Sequence, residues 1–351
     1  MNFKKSLLLG LVLAFSLVFA AHAGWVEPDG LMWAGLAGMT QMTTSQARVI
    51  DPILTTAAQG YKNGSFIGSA LFPTVPVPQR GGKIITFGKE AFRAYATGRT
   101  PGSNTKRVQL GYAGSSYALE SHSLEGLVPF ELLEEANAVP GINLGNGAVQ
   151  LVQDIIAARL EFAQATLATT AANYGASNKI TLAGVDQWSD YSGTSDPVDD
   201  IEVAKEAIRL QIGRRPNTVV LGASVFAKLR QHPKIIDRIK YTGRDSATPE
   251  LLANLFGVQR VLVGDAVQEN DSGTIVDVWG KFVVVAYTEI GGLAEMGRPT
   301  FGYTYQLNGY PLVEQPYSDR NAKSWIYPVT DEVAPVIAGA AGGYLISGAI
   351  A

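Results

Sequence analysis

Hydrophobic residues recur every three or four positions along residues 145–172. Val149, Val152, Ile156, Leu160, Ala163 and Leu167 fall on one face, and Leu151, Ile155 and Phe162 widen it. That period predicts one long amphipathic helix, about 40 Å at roughly 1.5 Å per residue. Gln150, Gln153, Asp154, Arg159 and Glu161 are its expected outer face. Upstream, LFPTVPVPQRGG carries Pro73, Pro76 and Pro78, which forbid helix and predict an extended arm lying across something else. Residues 83–95 (KIITFGKEAFRAY) and 107–117 are rich in β-branched and aromatic residues, with the turn-rich TGRTPGSNTK between them. A long hairpin with a mobile tip follows.

Beyond the long helix the pattern alternates. Residues 179–188 predict a strand and turn, 199–212 a helix, and NTVVL at 217–221 a buried strand. Short helices over 223–231, 234–240 and 249–256 and strands over 260–263 and 281–286 complete one compact α/β unit. Asn270-Asp271-Ser272-Gly273 marks a hairpin turn, and Asn308-Gly309, between YTYQ and YPLV, predicts a second, two-residue hairpin. The apolar carboxy terminus, 336–351, is broken by Gly339, Gly342, Gly343 and Gly348, which suits packed strands better than a membrane helix. The fold class expected is α+β.

Composition narrows the function. The chain has 351 residues, 46% hydrophobic and 17% charged, with a formal net charge of −3, which excludes a disordered or polybasic nucleic-acid-binding protein. Its 38 Gly and 17 Pro exceed the needs of a helical bundle. With no Cys, disulfides, thiolate catalysis and Cys-ligated metals are excluded. The three His are His22, His122 and His232; they leave little material for a metal cluster or a Ser/His/Asp triad, and no H-E-x-x-H, Walker A or G-x-S-x-G motif occurs. Asp199-Asp200 and Glu134-Glu135 are adjacent carboxylates, which diverge on a helix and suit its amino terminus. The run Lys228, Arg230, Lys234, Arg238, Lys240 and Arg244 is expected to be a solvated helix face, with a face toward a polyanion as the second reading. The expectation is a structural protein with no catalytic, cofactor-binding or metal-binding residue.

Charge is distributed unevenly. Between residues 79 and 107, Arg80, Lys83, Lys89, Arg93, Arg99, Lys106 and Arg107 are opposed only by Glu90. Between 118 and 136 the sign reverses, with Glu120, Glu125, Glu131, Glu134 and Glu135 and no Lys or Arg. Two solvated faces would account for this. The sharper expectation is that a basic projecting hairpin, through Arg93, Arg99, Lys106 and Arg107, docks on the acidic surface of a neighbouring copy at Glu120, Glu131, Glu134 and Glu135, because complementary patches set register between identical subunits.

The amino terminus, MNFKK followed by an apolar run over residues 6–20 and then Ala21-His22-Ala23, has the form of a secretory signal cleaved before Gly24. The run falls short of the roughly 20 residues that span a bilayer. Two other readings stand beside it: a segment removed during assembly, or an upstream extension before a start at Met39 or Met42.

The order of elements, and the strings QARVIDPILTTAAQGY (46–61), KIITFGKEAFR (83–93), ATLATTAANYGASNKITLAG (165–184), RRPNTVVLGASVFAKLRQHPKIIDRIKYT (214–242) and PELLANLFGVQRVLVGDAV (249–267), resemble the major capsid proteins of tailed bacteriophages, a fold shared with encapsulins. The resemblance runs from about Met42 to the carboxy terminus. Residues 1–41, a hydrophobic leader or start-site extension, depart from the family pattern, and the resemblance implies an N-arm at 42–78, an E-loop hairpin at 79–130, a peripheral domain with a long spine helix at 131–172 and an axial α/β domain at 173–300. Residues 301–351 would be returning peripheral-domain strands and the carboxy-terminal segment. The function it implies is an icosahedral shell enclosing the phage genome, built by self-assembly into hexameric and pentameric capsomers in the bacterial host cytoplasm. Scaffold, portal and decoration proteins would be further partners, and packaged DNA would meet the inner face without sequence specificity. The rival readings are an exported periplasmic or surface protein, motivated by the leader, and an encapsulin-like compartment shell.

Overall fold

In the computed structural model, residues 51, 54, 55, 58, 66–83, 98–102, 104, 105, 107, 116–137, 143–240, 247–270, 272–289 and 300–351 are described. The chain divides between Val49 and Ile50, and all of these residues belong to the second part. The leader at 1–41 and most of the hairpin, 84–97 and 108–115, lie outside the described residues.

In chain order the elements begin with a short helix α1 (Gly68–Leu71) and strands β1 (Thr74–Val77), β2 (Gly81–Lys83), β3 (Ser116–Ala118) and β4 (Glu120–Pro129). Helices α2 (Phe130–Asn137) and α3 (Leu144–Thr169) follow, then β5 (Lys179–Thr181), α4 (Pro197–Ile212) and β6 (Thr218–Gly222). Next come α5 (Ala223–Leu229), α6 (Pro233–Ile239), α7 (Pro249–Phe256), β7 (Arg260–Gly264), β8 (Val267–Glu269), β9 (Ile275–Asp277) and β10 (Val283–Ala286). The chain closes with β11 (Gly302–Leu307), β12 (Leu312–Val313), β13 (Tyr317–Asp319), β14 (Ser324–Ile337) and β15 (Gly343–Ser347).

Two sheets organise these elements. In the six-stranded sheet β14 is the hub. It pairs along one side with the whole of β4, and along the other with β13, β12 and β11 in turn, while β1 adds to β11 in parallel. The helix α3 lies on this sheet, with Val149, Val152 and Ile156 packed against Val313 and Val329. Glycine allows the close approach: a Cβ on Gly126 would lie 3.0 Å from the Ala148 carbonyl oxygen, and one on Gly145 would lie 2.8 Å from the Tyr327 hydroxyl. Asn143 starts α3, its Oδ1 accepting the Asn146 N–H at 3.0 Å.

The five-stranded sheet runs β5-β15-β10-β6-β7, and its core follows from the period of two in its strands. Val219, Leu221, Val283, Val285, Tyr344 and Ile346 face the helices, meeting Ile201, Ala204 and Ile208 of α4. The alternate residues Val220, Val284 and Leu345 face Phe72, Trp279, Phe301 and the end of α3 at Ala165 and Ala168. The predicted α/β unit is therefore present, with α4 capped by Asp196 and Pro197 and ended by Gly213 at φ 69°. The strand between β5 and β10, β15, comes from the carboxy terminus.

Several expectations need correction. Gln153 and Glu161, expected on the outer face of α3, are buried, whereas Leu151 and Ile155, expected to widen its core stripe, are 62% and 49% exposed. The helix packs on two sides. A second stripe, Gln153, Ala157, Glu161, Gln164 and Ala168, turns inward, where Gln153 donates to the Ala58 carbonyl, Glu161 accepts the Ile67 and Gly68 amides and Gln164 donates to the Thr304 hydroxyl. The Asn308-Gly309 turn exists, with Gly309 at φ 88°, but β11 and β12 do not form a hairpin, because each pairs with β14 instead. Glu134 and Glu135 occupy the second half of α2, and only Glu131 lies in its first turn. The proline-rich 73–78 segment is extended as expected, yet β1 is built into the sheet of its own subunit. By contrast, the Asn270 turn closes the β8–β9 hairpin as predicted, its Oδ1 accepting the Ser272 and Thr274 amides at 3.1 and 2.9 Å.

Candidate assembly interface

Reactive groups meet at Ser195 and His232 and again at Trp188 and Asp200. Ser195 Oγ lies 3.0 Å from His232 Nε2, and both residues are buried. His232 Nδ1 accepts the Lys234 amide at 3.3 Å, so Nε2 carries the proton and donates to Ser195, whose own hydroxyl donates to the Asp190 carbonyl at 2.8 Å. Burial, reinforced by Lys234, pushes the imidazole pKa down. The pair holds a turn and has no base to activate the serine. Asp200 accepts the Trp188 indole N–H at 2.7 Å, and burial raises its pKa; this too is internal bonding. Among the described residues no group of three or more His, Asp or Glu could hold a metal, and no helix is long and apolar enough to cross a membrane.

The surface carries more. Glu120, Glu125, Glu131, Glu134 and Glu135 are all exposed, along β4 and the helix α2 that continues it. His122 approaches Glu120 at 4.0 Å, and the Tyr317 hydroxyl donates to Glu125 at 3.1 Å. Among the described residues no Lys or Arg pairs with these five carboxylates. Apolar groups lie among them: Leu124, Leu127 and Leu132 are 42%, 54% and 51% exposed. On the basic side Arg99 and Arg107 are exposed, whereas Arg93 and Lys106 lie outside the described residues. The base of the hairpin is the pairing of β2 with β3. Arg80, counted in the basic block but not among the docking residues, clasps Glu332 of its own chain with its guanidinium through two bonds of 2.6 and 2.9 Å.

Beneath this surface lies a feature that sequence reasoning missed. Glu161, 2% exposed, accepts the Ile67 and Gly68 amides at 3.2 and 2.8 Å and the Trp279 indole N–H at 2.7 Å. Arg260 donates to the Ala70 carbonyl at 2.9 Å. The short helix α1 is thus held by a carboxylate at its start and a guanidinium at its end, which matches its dipole, and it ties α3 to the five-stranded sheet. Burial raises the Glu161 pKa despite three hydrogen bonds that lower it. The spacing of Gln153, Ala157, Glu161, Gln164 and Ala168, at four, four, three and four, was the available signal.

Residues 148–325, from α3 through the start of β14, match the family model described as phage major capsid protein E. Over 308 residues the chain is 39% identical to the major capsid protein of Burkholderia phage BcepMu, covering 87% of this chain and 98% of that one. The chain belongs to the phage major capsid protein family. Among solved structures, this capsid protein is similar to a phage-related protein from Bordetella bronchiseptica RB50, with 46% identity, a TM-score of 0.75 and coverage of 87% and 98% of the two chains. The capsid of cyanophage P-SCSP1u, at 9% identity, a TM-score of 0.55 and coverage of 88% and 93%, shows the shared capsid fold alone. As a major capsid protein the chain is a structural subunit of a phage shell, which sets aside the exported-protein and compartment readings. The matched family region begins after β4 and α2, so the acidic surface lies outside it.

Proposed function

We propose that this capsid subunit assembles through heterologous contacts into hexameric and pentameric capsomers and then a closed icosahedral shell around the phage genome. In these contacts Arg93, Arg99, Lys106 and Arg107 of one copy meet Glu120, Glu131, Glu134 and Glu135 of the next. The observation that carries this reading is the exposed acidic surface of β4 and α2, which has no basic partner among the described residues of its own chain. Heterologous patches of opposite sign close rings of identical subunits and set their register. The subunit has no catalytic role. Assembly takes place in the host cytoplasm, with scaffold, portal and decoration proteins as further partners and DNA held on the inner face without sequence readout. Residues 1–23 are absent from the mature particle, and intact-mass measurement of particles checks this.

Light scattering and negative-stain microscopy of the purified protein test the main reading, with rings or shells as the expected outcome. A protein that stays monomeric at every concentration and salt would falsify it. Reversing Arg99 and Arg107 to Glu should cut particle yield and raise salt sensitivity while leaving the subunit folded. Reversing Glu131 and Glu134 to Lys in the same chain should restore part of the yield.

A further inference from the structure

A cavity between α3 and the six-stranded sheet lacks a positive charge that its walls call for: we propose that it binds an aliphatic diamine, with the ammonium groups at Glu161 and Asp331 and the carbon chain along the apolar wall. This goes beyond the shell-subunit reading and does not depend on it. The cavity has a volume of about 310 Å³, at the lower end of the range of small-molecule sites. Helix α3 supplies one side through Ile156, Ala157 and Leu160, and Val329 of β14 and Pro311 before β12 supply the other. Ser69 and Thr74, both exposed, mark where it meets solvent.

Among the described residues the lining holds two carboxylates, Glu161 and Asp331, and no Lys, Arg or His. They are 2% and 8% exposed. The groups that donate to them are neutral: the Ile67 and Gly68 amides and the Trp279 indole for Glu161, the Gln306 side chain at 2.9 and 3.2 Å and the Glu332 amide for Asp331. Two further charged or titratable groups lie near Asp331. His122 stands opposite it across the β4–β14 pair, and Glu332, its neighbour in sequence, is engaged by Arg80.

A buried charge is costly unless an opposite charge accompanies it. Elsewhere the chain meets that condition: Glu332 and Lys205, each 5% exposed, pair with Arg80 and Glu202. Glu161 and Asp331 have no such partner among the described residues, and burial holds the pKa of each above its ordinary value. The cavity has room for the missing cation. A bare divalent ion suits it poorly, because no three His, Asp or Glu converge among the described residues and apolar walls cannot replace the water that such an ion gives up reluctantly. A diamine suits it well. Ammonium groups donate and do not accept, and methylene chains lie on apolar surface as lysine stems do.

Isothermal titration calorimetry of the full-length, unassembled protein with putrescine and with cadaverine tests this, and its outcome is separate from that of the assembly tests. One diamine should bind per subunit and saturate, with butylamine, which carries a single ammonium, roughly tenfold or more weaker. No saturable binding overturns the site. So does an equal response to magnesium chloride at the same ionic strength, which marks surface screening. Asp331→Asn keeps the shape of the side chain and removes its charge; it should weaken diamine binding roughly tenfold or more, and its melting temperature should rise less than that of wild type as diamine is added. Ala157→Leu narrows the cavity, leaves both carboxylates in place and should weaken binding by a similar factor. Wild-type affinity in either variant, once melting shows it folded, places the diamine elsewhere and overturns the proposal.

Discussion

In the five-stranded sheet every residue of β6 and β10 is buried, with helices on one face and the Trp279 and Phe301 cluster on the other. In β4 only Gly126 and Val128 are buried, and Leu124, Glu125 and Leu127 stand in solvent. The first region is explained by contacts within one chain. The second, ten residues long, acidic and apolar by turns, is what the proposed contacts between chains would explain. Losses in the sheet core should therefore appear as instability of the subunit, and losses along β4 as failure of the particle.

The largest expected effect is in the core. Trp279→Ala empties a site 1% exposed and strips Glu161 of one donor. It should cost about 3–5 kcal/mol in urea unfolding of the unassembled subunit; a loss below about 1 kcal/mol would mean that the two sheets are not joined through this cluster. Next is Glu161→Gln, whose amide must turn a donor toward a buried N–H, at a cost of about 1–3 kcal/mol. Its pH dependence is the sharper reading. Burial raises the folded pKa of Glu161 above its ordinary value, so the stability contributed by its titration is complete below the unfolded carboxylate range and is lost as pH rises through the raised pKa. The stability of wild type minus that of the variant should fall over that window, and a constant difference would show that Glu161 does not titrate as a buried group.

Smaller effects belong to β4. Replacing Leu124 and Leu127 together with Ser should change subunit stability by no more than about 0.5 kcal/mol, yet lower particle yield in microscopy. If stability drops instead, these leucines serve their own chain and the contrast between the two regions fails. The smallest is Arg99→Glu alone. An exposed pair is worth about 0.2–1 kcal/mol, so the single change should show mainly as a shift in the salt at which particles form.

Much of the fold was legible along the chain because local period and end signals agree with the tertiary answer. The long helix, the helix at 249–256 and the Asn270 turn all depend on neighbours a few residues away, whereas the start of α4 at Pro197 lies two residues before the expected Asp199. The acidic and basic blocks were legible for the same reason, since charge can be counted without coordinates. Only the tertiary structure decided which face of α3 is inside. A helix packed on two sides buries Gln153 and Glu161 when partners at Ala58, Gly68 and Trp279 satisfy them, and those partners are about a hundred residues away in sequence. The same holds for β11 and β12, whose turn suited a hairpin until β14 offered both of them longer pairing. It also holds for β4, because which of its amides turn toward β14 depends on register against a strand about two hundred residues downstream. Periodicity specifies elements, whereas partners at long range specify which of their faces are buried.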